Sequence, residues 1–362
     1  MTRIVAQGHP THTRMLEIEL LAGHAEGTFT VRSNIVDLRK HGLVPLIGEI
    51  QNAGFIHHMQ IGLDLGSAES GARVEQVRVE QPYVAIESTP TTGGECCRDP
   101  IDRLLALQGE SLLPGFEKHV TRLFGGPLGC SHLMTLGQTI GRALPSAIAT
   151  EAAAQRSGAA ARAPGERIFK RTVYIDGLSS QDGSEIQLAL QQCDLTTAPH
   201  AAIDHSLERL EQQHEVQAHA VVAMDGLRLL ALDCNERVRG LGDIGSDGWL
   251  HFEDRSEDVA TLVGERIMPG LGSRLFGALA TAPERRVLLD ALLHLGPGFL
   301  QSIAPLGEAL LGQPGAPPPV AGVGGNPNAC YMWRNGGAME QRREVMLARA
   351  TSATTASETN DA

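Results

Sequence analysis

Three short segments of this chain carry residue types able to move a proton or hold a soft ligand. They are His57-His58, Cys96-Cys97 and the run Gly129-Cys130-Ser131-His132. Imidazoles titrate near neutral pH and serve as general acids and bases, and thiols join them as borderline-soft metal ligands. The period-2 pattern around His57 and His58 predicts a strand. Cys97 and His132 fall at the starts of predicted helices, where backbone N–H groups favour negative charge and lower a thiol pKa. A fourth segment is Tyr331-Met332-Trp333-Arg334, in a chain with only three Tyr and two Trp. Tyr and Trp offer a flat apolar wall with a polar handle, and Arg binds carboxylate or stacks on a ring. The segment follows a Gly/Pro-rich stretch and reads as a strap closing an aromatic pocket, or as an anchor for the C-terminal part of the chain. Arg14 enters the first predicted strand after His12-Thr13, as a substrate contact or a structural ion pair. The catalytic candidates are therefore His57, His58, His132 and Tyr331. The substrate-binding candidates are Arg14, Cys97, Trp333 and Arg334. No metal ligand set is assigned, because the spacings alone do not bring these side chains together, and no cofactor is expected.

These residues must be positioned by strands followed by helices. Partial alternation predicts strands over Met15–Leu21, Thr28–Val36, Phe55–Leu65, Val74–Val79, Glu185–Leu190 and Val221–Leu232. Helical spacing predicts helices over Pro100–Gln108, Gly115–Phe124 and Ser131–Ile148, the last kinked or shortened at Pro145. The expected fold class is α+β, with an antiparallel sheet and helices gathered on one side.

The pattern occurs twice. Gly109-Glu110-x-x-x-Pro114-Gly115 matches Gly264-Glu265-x-x-x-Pro269-Gly270 at an offset of 155 residues. Upstream, Arg14 meets Arg171, Asp37-Leu38 meets Asp194-Leu195, and the segment from His58 aligns with that from His219, pairing Asp64 with Asp225. Two tandem diverged copies are expected, packed as a pseudo-dimer. The predicted organisation is a site-bearing repeat over 1–150, a linker over 151–166 and a degenerate repeat over 167–312. A loop and strap over 313–347 and a disordered tail over 348–362 follow. At the helix offset Cys97, Cys130 and His132 meet Phe252, Arg285 and Val287. The first copy is thus expected to hold the chemistry and the second to support it.

Composition removes several function classes. The net charge of −12 argues against a nucleic-acid or anionic-membrane surface. No apolar run reaches the length of a membrane span, and Met1–Pro10 lacks a secretory pattern, so the cytoplasm is the expected location. None of the six cysteines forms a CxxC pair. Gly240-x-Gly242-x-x-Gly245 fits the dinucleotide fingerprint in letters, but the residues after it do not open a helix, so nucleotide binding is not expected.

His12-Thr13-Arg14, Thr28-Phe29, Asp37, Ile56-His57-x-Met59, Asp64, Cys97, Gly109, Gly115-Phe116 and Gly129-Cys130-x-His132-Leu133 together resemble a bacterial domain family of unknown function. The resemblance covers roughly residues 10 to 150 and implies no reaction. More weakly, the chain resembles sphingomonad enzymes that degrade lignin-derived dimers, the phenylcoumaran γ-formaldehyde lyases. That resemblance implies a cofactor-independent lyase. A base removes a phenolic proton, the ether ring opens to a quinone methide, and deprotonation of the γ-hydroxymethyl group expels formaldehyde to leave a stilbene. Its partner would be a small aromatic substrate, with a homodimer as the one macromolecular assembly expected. Two other readings stay open: a non-catalytic ligand-binding or assembly module, and a metal-dependent hydrolase.

Overall fold

The computed structural model describes residues 6–40, 44–45, 50–51, 54–113, 115–199, 209–243, 245–246, 250–305, 328–341 and 344. Nine strands form one antiparallel sheet. They are β1 (His9–Ala22), β2 (Phe29–Arg39), β5 (Gly54–Leu65), β6 (Val74–Tyr83), β7 (Arg167–Ser179), β8 (Glu185–Thr197), β9 (Leu210–Ala223), β10 (Leu229–Gly240) and β11 (Glu253–Asp254). A separate two-stranded ladder pairs β3 (Val44–Pro45) with β4 (Ile50–Gln51). The order across the large sheet is β11-β10-β9-β8-β7-β1-β2-β5-β6, so β1 and β7 meet at the centre and each half of the chain fans outward from them. The helices are α1 (Phe116–Phe124), α2 (Ser131–Arg156), α3 (Leu271–Leu279), α4 (Arg286–Leu292) and α5 (Leu295–Ile303). The architecture is α+β, as the strand-then-helix pattern predicts.

Strand alternation builds the core. Leu16, Ile18 and Leu20 on β1, Phe29, Val31 and Ile35 on β2, and Met59, Ile61, Leu63 and Leu65 on β5 are buried, with polar residues between them facing away. Against this face lie Leu133, Leu136, Ile140 and Leu144 of α2 and Leu295 and Phe299 of α5. The helices approach closely where a side chain is missing. A Cβ on Gly177 would come within 1.9 Å of Ser302 Oγ, so only glycine lets α5 settle on β7 here.

Several boundaries differ from the sequence expectation, each for a physical reason. Helix α2 passes through Pro145 and ends at Arg156, inside the stretch expected to be linker. Burial of Ile140, Leu144 and Ile148 on one face offsets the roughly 3 kcal/mol that an interior proline costs. The segment after it is tied down as well, because Glu151 and Arg162 form a buried ion pair of 2.9 Å. The strand expected over Val221–Leu232 is strand at its two ends, in β9 and β10, but is broken between them by a hairpin turn with Gly226 and Leu227 at φ of 69° and 53°. Asp225-Gly226 is a hairpin signal that the apolar residues around it outweighed. The expected helix over Pro100–Gln108 is a 3-10 turn, Ile101–Leu107. The stretch Leu241–Asp243 is also a 3-10 turn, and residues 244 and 247–249, where the fingerprint would need a helix to open, lie outside the described residues. The loop expected over 314–328 lies outside the described residues except for Asn328, and so does the tail over 348–362. Among the described residues no helix is long and apolar enough to cross a membrane.

Candidate functional site

The alternation that builds the core continues at one end of the sheet into polar side chains on the same buried face. On β1 these are His12 and Arg14, on β2 Asp37 and Arg39, and on β5 His57. Register places Arg14 opposite Asp37, and Asp37 opposite His57, in one cross-strand row. A register shift follows Asp37, whose neighbour Leu38 pairs with Phe55, leaving Ile56 as the extra residue. This bulge turns both Ile56 and His57 inward. From above, the first turn of α2 lowers His132 onto the row.

Asp37 is the centre of the cluster and is fully buried. Arg14 donates to both of its oxygens, from Nε at 2.8 Å and from Nη2 at 3.0 Å. His12 Nε2 lies 3.0 Å from Oδ1, and His132 Nε2 lies 3.1 Å from Oδ2. Arg14 thus takes one acceptor site on each oxygen, and each oxygen also has an imidazole nitrogen close by. His57 Nδ1 stands 3.9 Å from Oδ2, too far for a hydrogen bond, and is unpaired among the described residues. The rings of His57 and His132 lie face to face, with centroids 3.9 Å apart and planes inclined by 34°.

The electrostatics follow from burial and these contacts. Burial alone would raise the Asp37 carboxyl, but the Arg14 guanidinium and the hydrogen bonds from His12 and His132 outweigh it and hold it well below the usual carboxylate range. Burial pushes His57 well below the ordinary imidazole value, and neighbouring His132 adds to the effect, so His57 is neutral near pH 7. Burial also lowers His12, despite the opposing pull of Asp37. His132 meets Asp37 through Nε2, which also lies 3.4 Å from Gln301 Nε2, and leaves Nδ1 as its other ring nitrogen. The Cys130 Sγ is 3.8 Å from that Nδ1.

A cavity of about 140 Å³ opens above the two stacked imidazoles. His57, His132 and Arg39 supply its polar side. Ile56, Ala85, Ile86, Leu300 and Met332 supply apolar wall, with Cys97, Cys130 and Cys330 among them. Tyr331 and Trp333 close the wall from the C-terminal segment, which is fixed to the loop before α2 by a 2.7 Å bond from Tyr331 N–H to the Gly129 carbonyl. Burial raises all three thiols, Cys130 to about 12, so none is a ready thiolate nucleophile. Burial also raises the Tyr331 phenol, with Arg334 opposing and Asp99 reinforcing, so it stays protonated.

Of the residues singled out by sequence, the fold brings His57, His132, Cys97, Tyr331 and Trp333 to this one cavity. His58 is not among them. It sits on the other face of β5, with Nε2 3.1 Å from Gln60 Nε2, because neighbours on a strand point oppositely. Arg14 lies beneath the cavity and orients Asp37 rather than facing the space. Arg334 turns away from it, pairing with Glu95 and stacking 3.9 Å from the Tyr331 ring centroid. Asp37, Arg39 and His12 were not candidates. Their signal was parity: each falls on the buried phase of its strand, where a polar residue needs a reason to be.

The same row occurs in the second half. Arg171 is opposite Asp194, and Asp194 is opposite His214. Arg171 donates to both oxygens of Asp194 at 2.7 Å, across the same separation of 23 residues as Arg14 and Asp37. His214 thus has the place in this row that His57 has in the first. Here the imidazole turns to Glu236 at 2.8 Å, and the helix above lowers a carboxylate, Asp290, onto Arg171 at 2.8 Å.

Residues 12–144 match the family described as Protein of unknown function (DUF2889). The matched span takes in His12, Arg14, Asp37, Arg39, His57, Cys97, Cys130 and His132, the polar and thiol part of the cavity up to the C-terminal strap. No curated protein and no solved structure matches the chain.

Proposed function

We propose that the first-half cavity performs cofactor-independent acid–base chemistry on an aromatic compound, and that the reaction is release of formaldehyde from a phenylcoumaran to give a stilbene. The observation that carries the proposal is one cluster: an anionic Asp37 hydrogen-bonded to His132, with a neutral His57 stacked on it, beneath an apolar cavity walled by Tyr331 and Trp333. A cavity near 150 Å³ accommodates a single benzene ring. At about 140 Å³ this one takes the phenol ring of a two-ring substrate and leaves the second ring at the mouth.

In this reading His132, oriented by Asp37, removes the phenolic proton through Nδ1, and Asp37 stabilises the imidazolium formed. The Arg39 charge on the cavity wall favours phenolate. The phenolate electron pair expels the ring ether oxygen, giving a quinone methide and a second phenolate. The γ-hydroxyl then loses its proton, which ends on that new phenolate. The electrons of the bond to the γ-carbon form the stilbene double bond as formaldehyde leaves and the quinone methide regains aromaticity. His132 returns the first proton, so protons and electrons balance with no oxidant or metal. His57 donates a hydrogen bond to the reacting oxygen. Tyr331, kept protonated, acts as a donor and wall rather than as a base.

We also infer that the halves are diverged copies of one unit packed as a pseudo-dimer about the β1–β7 seam. The repeated Arg–Asp–His row and the mirrored strand order support it.

A second reading has its own observation. Single ligand atoms from Asp37, His57 and His132 lie within 4.8 Å of one another, close enough for a divalent transition metal. Against it, the Arg14 guanidinium is bonded to both oxygens of Asp37 and sets a positive charge beside any metal held there. Incubation with a panel of phenolic lignin-derived dimers, with and without chelator, followed by formaldehyde assay separates the two. Release that survives chelation supports the lyase. Absence of formaldehyde from every phenylcoumaran removes it, and a stoichiometric metal in the purified protein supports the second reading.

A further inference from the structure

A second cavity, of about 460 Å³, lies in the other half of the molecule between α2 and α4 above and the ends of β7, β8 and β9 below. It sits over the Arg171–Asp194–His214 row, as the first cavity sits over Arg14–Asp37–His57. It is larger than the first and its chemistry differs: no thiol lines it, one imidazole remains in His214, and four guanidinium groups are added in Arg142, Arg162, Arg171 and Arg286.

The charges that line it are not equally satisfied. Arg171 is fully engaged with Asp194 and Asp290. Arg162 is paired with Glu151. Arg142 on α2 is different. Its side chain is 16% exposed, and its one described partner is Asp290, with Nε 3.5 Å from Oδ1, while the other oxygen of Asp290 serves Arg171. Its buried Nε makes no hydrogen bond among the described residues. Burial outweighs the pull of Asp290 and lowers the Arg142 guanidinium, and nearby Arg171 adds to this, so the site lacks negative charge at this point. Arg286 on α4 is adjacent. It donates to the Arg142 carbonyl at 3.0 Å, which uses one of its five N–H donors. The remaining acid on the lining, Glu211, is exposed at the edge, where solvent screens it. Ile168, Phe169 and Val287 supply an apolar part of the wall, beside the neutral polar Thr150, Thr196 and Gln212.

We propose that this cavity binds a small organic acid, its carboxylate held between Arg142 and Arg286 and its apolar body laid against Ile168, Phe169 and Val287. An anion supplies the acceptors that Arg142 lacks, and two guanidinium groups suit the planar fork of a carboxylate. The proposal does not rest on the reading of the first cavity. It gives the second half a ligand of its own rather than a purely supporting part.

Isothermal titration of the full chain with benzoate, with benzamide as neutral isostere and inorganic phosphate as an anion without an apolar body, tests it. Benzoate is expected to bind saturably, and the other two at least about tenfold more weakly, the scale of one charge-assisted hydrogen bond. Arg142→Gln removes the central donor. Arg286→Gln, at an exposed position that tolerates substitution, covers the case in which Arg142→Gln misfolds, and it should weaken benzoate by about tenfold or more. Tyr331→Ala alters the first cavity and should leave benzoate affinity unchanged. Absence of saturable benzoate binding, equal binding of benzamide or phosphate, unchanged affinity in Arg286→Gln, or loss in Tyr331→Ala would each overturn the assignment.

Discussion

Asp37→Asn removes one charge and almost no volume, and the cost follows from what Asp37 holds. Arg14, 3% exposed, has no other carboxylate among the described residues. Asparagine offers one oxygen where aspartate offers two. Arg14 keeps one of its two bonds, and the new amide N–H₂ faces either Arg14 Nε on the side of His12 or Arg14 Nη2 on the side of His132, donor against donor. Leaving a buried guanidinium without its counter-charge costs about 3–5 kcal/mol. The second half supplies an internal control. In Asp194→Asn, Arg171 likewise keeps one of its two bonds and also retains the Asp290 carboxylate at 2.8 Å, so the cost falls to that of a charged hydrogen bond, about 1–3 kcal/mol. Urea denaturation of both variants at pH 7 should show Asp37→Asn as the less stable by about 2 kcal/mol. Equal losses, or a smaller loss at Asp37, would refute the view that Asp37 alone balances Arg14.

Other consequences follow from the same geometry. His132→Gln should lower turnover of a confirmed substrate by about 10²- to 10⁴-fold with a smaller change in KM, whereas His58→Ala should leave both near wild type. Burial lowers His12, His57 and His294 in the folded state, His294 with help from Arg142 and Arg171. The unfolded chain therefore takes up protons below about pH 6.5 that the folded chain refuses, and stability falls as pH drops, by up to about 1.4 kcal/mol per unit per group. His294→Leu, which removes a buried Nε2 with no described partner, should flatten that slope by one proton in urea titrations between pH 6.5 and 5. Asp37 acts elsewhere on the scale. Its contribution is present above the unfolded carboxyl value and is lost only as pH falls through its depressed folded value. With its thiol pushed up to about 12, Cys130 should resist iodoacetamide at pH 7.5, where about one thiol in 30,000 is ionised, until the protein is unfolded.

The fold was legible where alternation was regular. The strands expected over Met15–Leu21 and Phe55–Leu65 lie inside β1 and β5, because Leu16, Leu20, Met59 and Leu63 announce the buried phase. It failed at the end of α2, which runs on past Ile148 to Arg156, and where apolar residues ran across a tight turn, as at Asp225-Gly226. In the site, His57 and His132 were visible by chemistry, but a bulge decided that His57 and not His58 turns inward, and nothing in the residue types near Ile56 signals that bulge. Asp37 was in plain view as a repeated residue. Its role needed the register, which sets Arg14 on one side of it and His57 on the other. Arg334 looked like a ligand contact until Glu95, distant in sequence, proved to be its partner.

The proposed chemistry sets a stoichiometry. Under anaerobic conditions with chelator present, wild-type protein given a phenolic phenylcoumaran should produce stilbene and formaldehyde in a one-to-one ratio, and His132→Gln should produce neither at a comparable rate. Stilbene without formaldehyde, a requirement for oxygen or metal, or undiminished turnover in His132→Gln would contradict it.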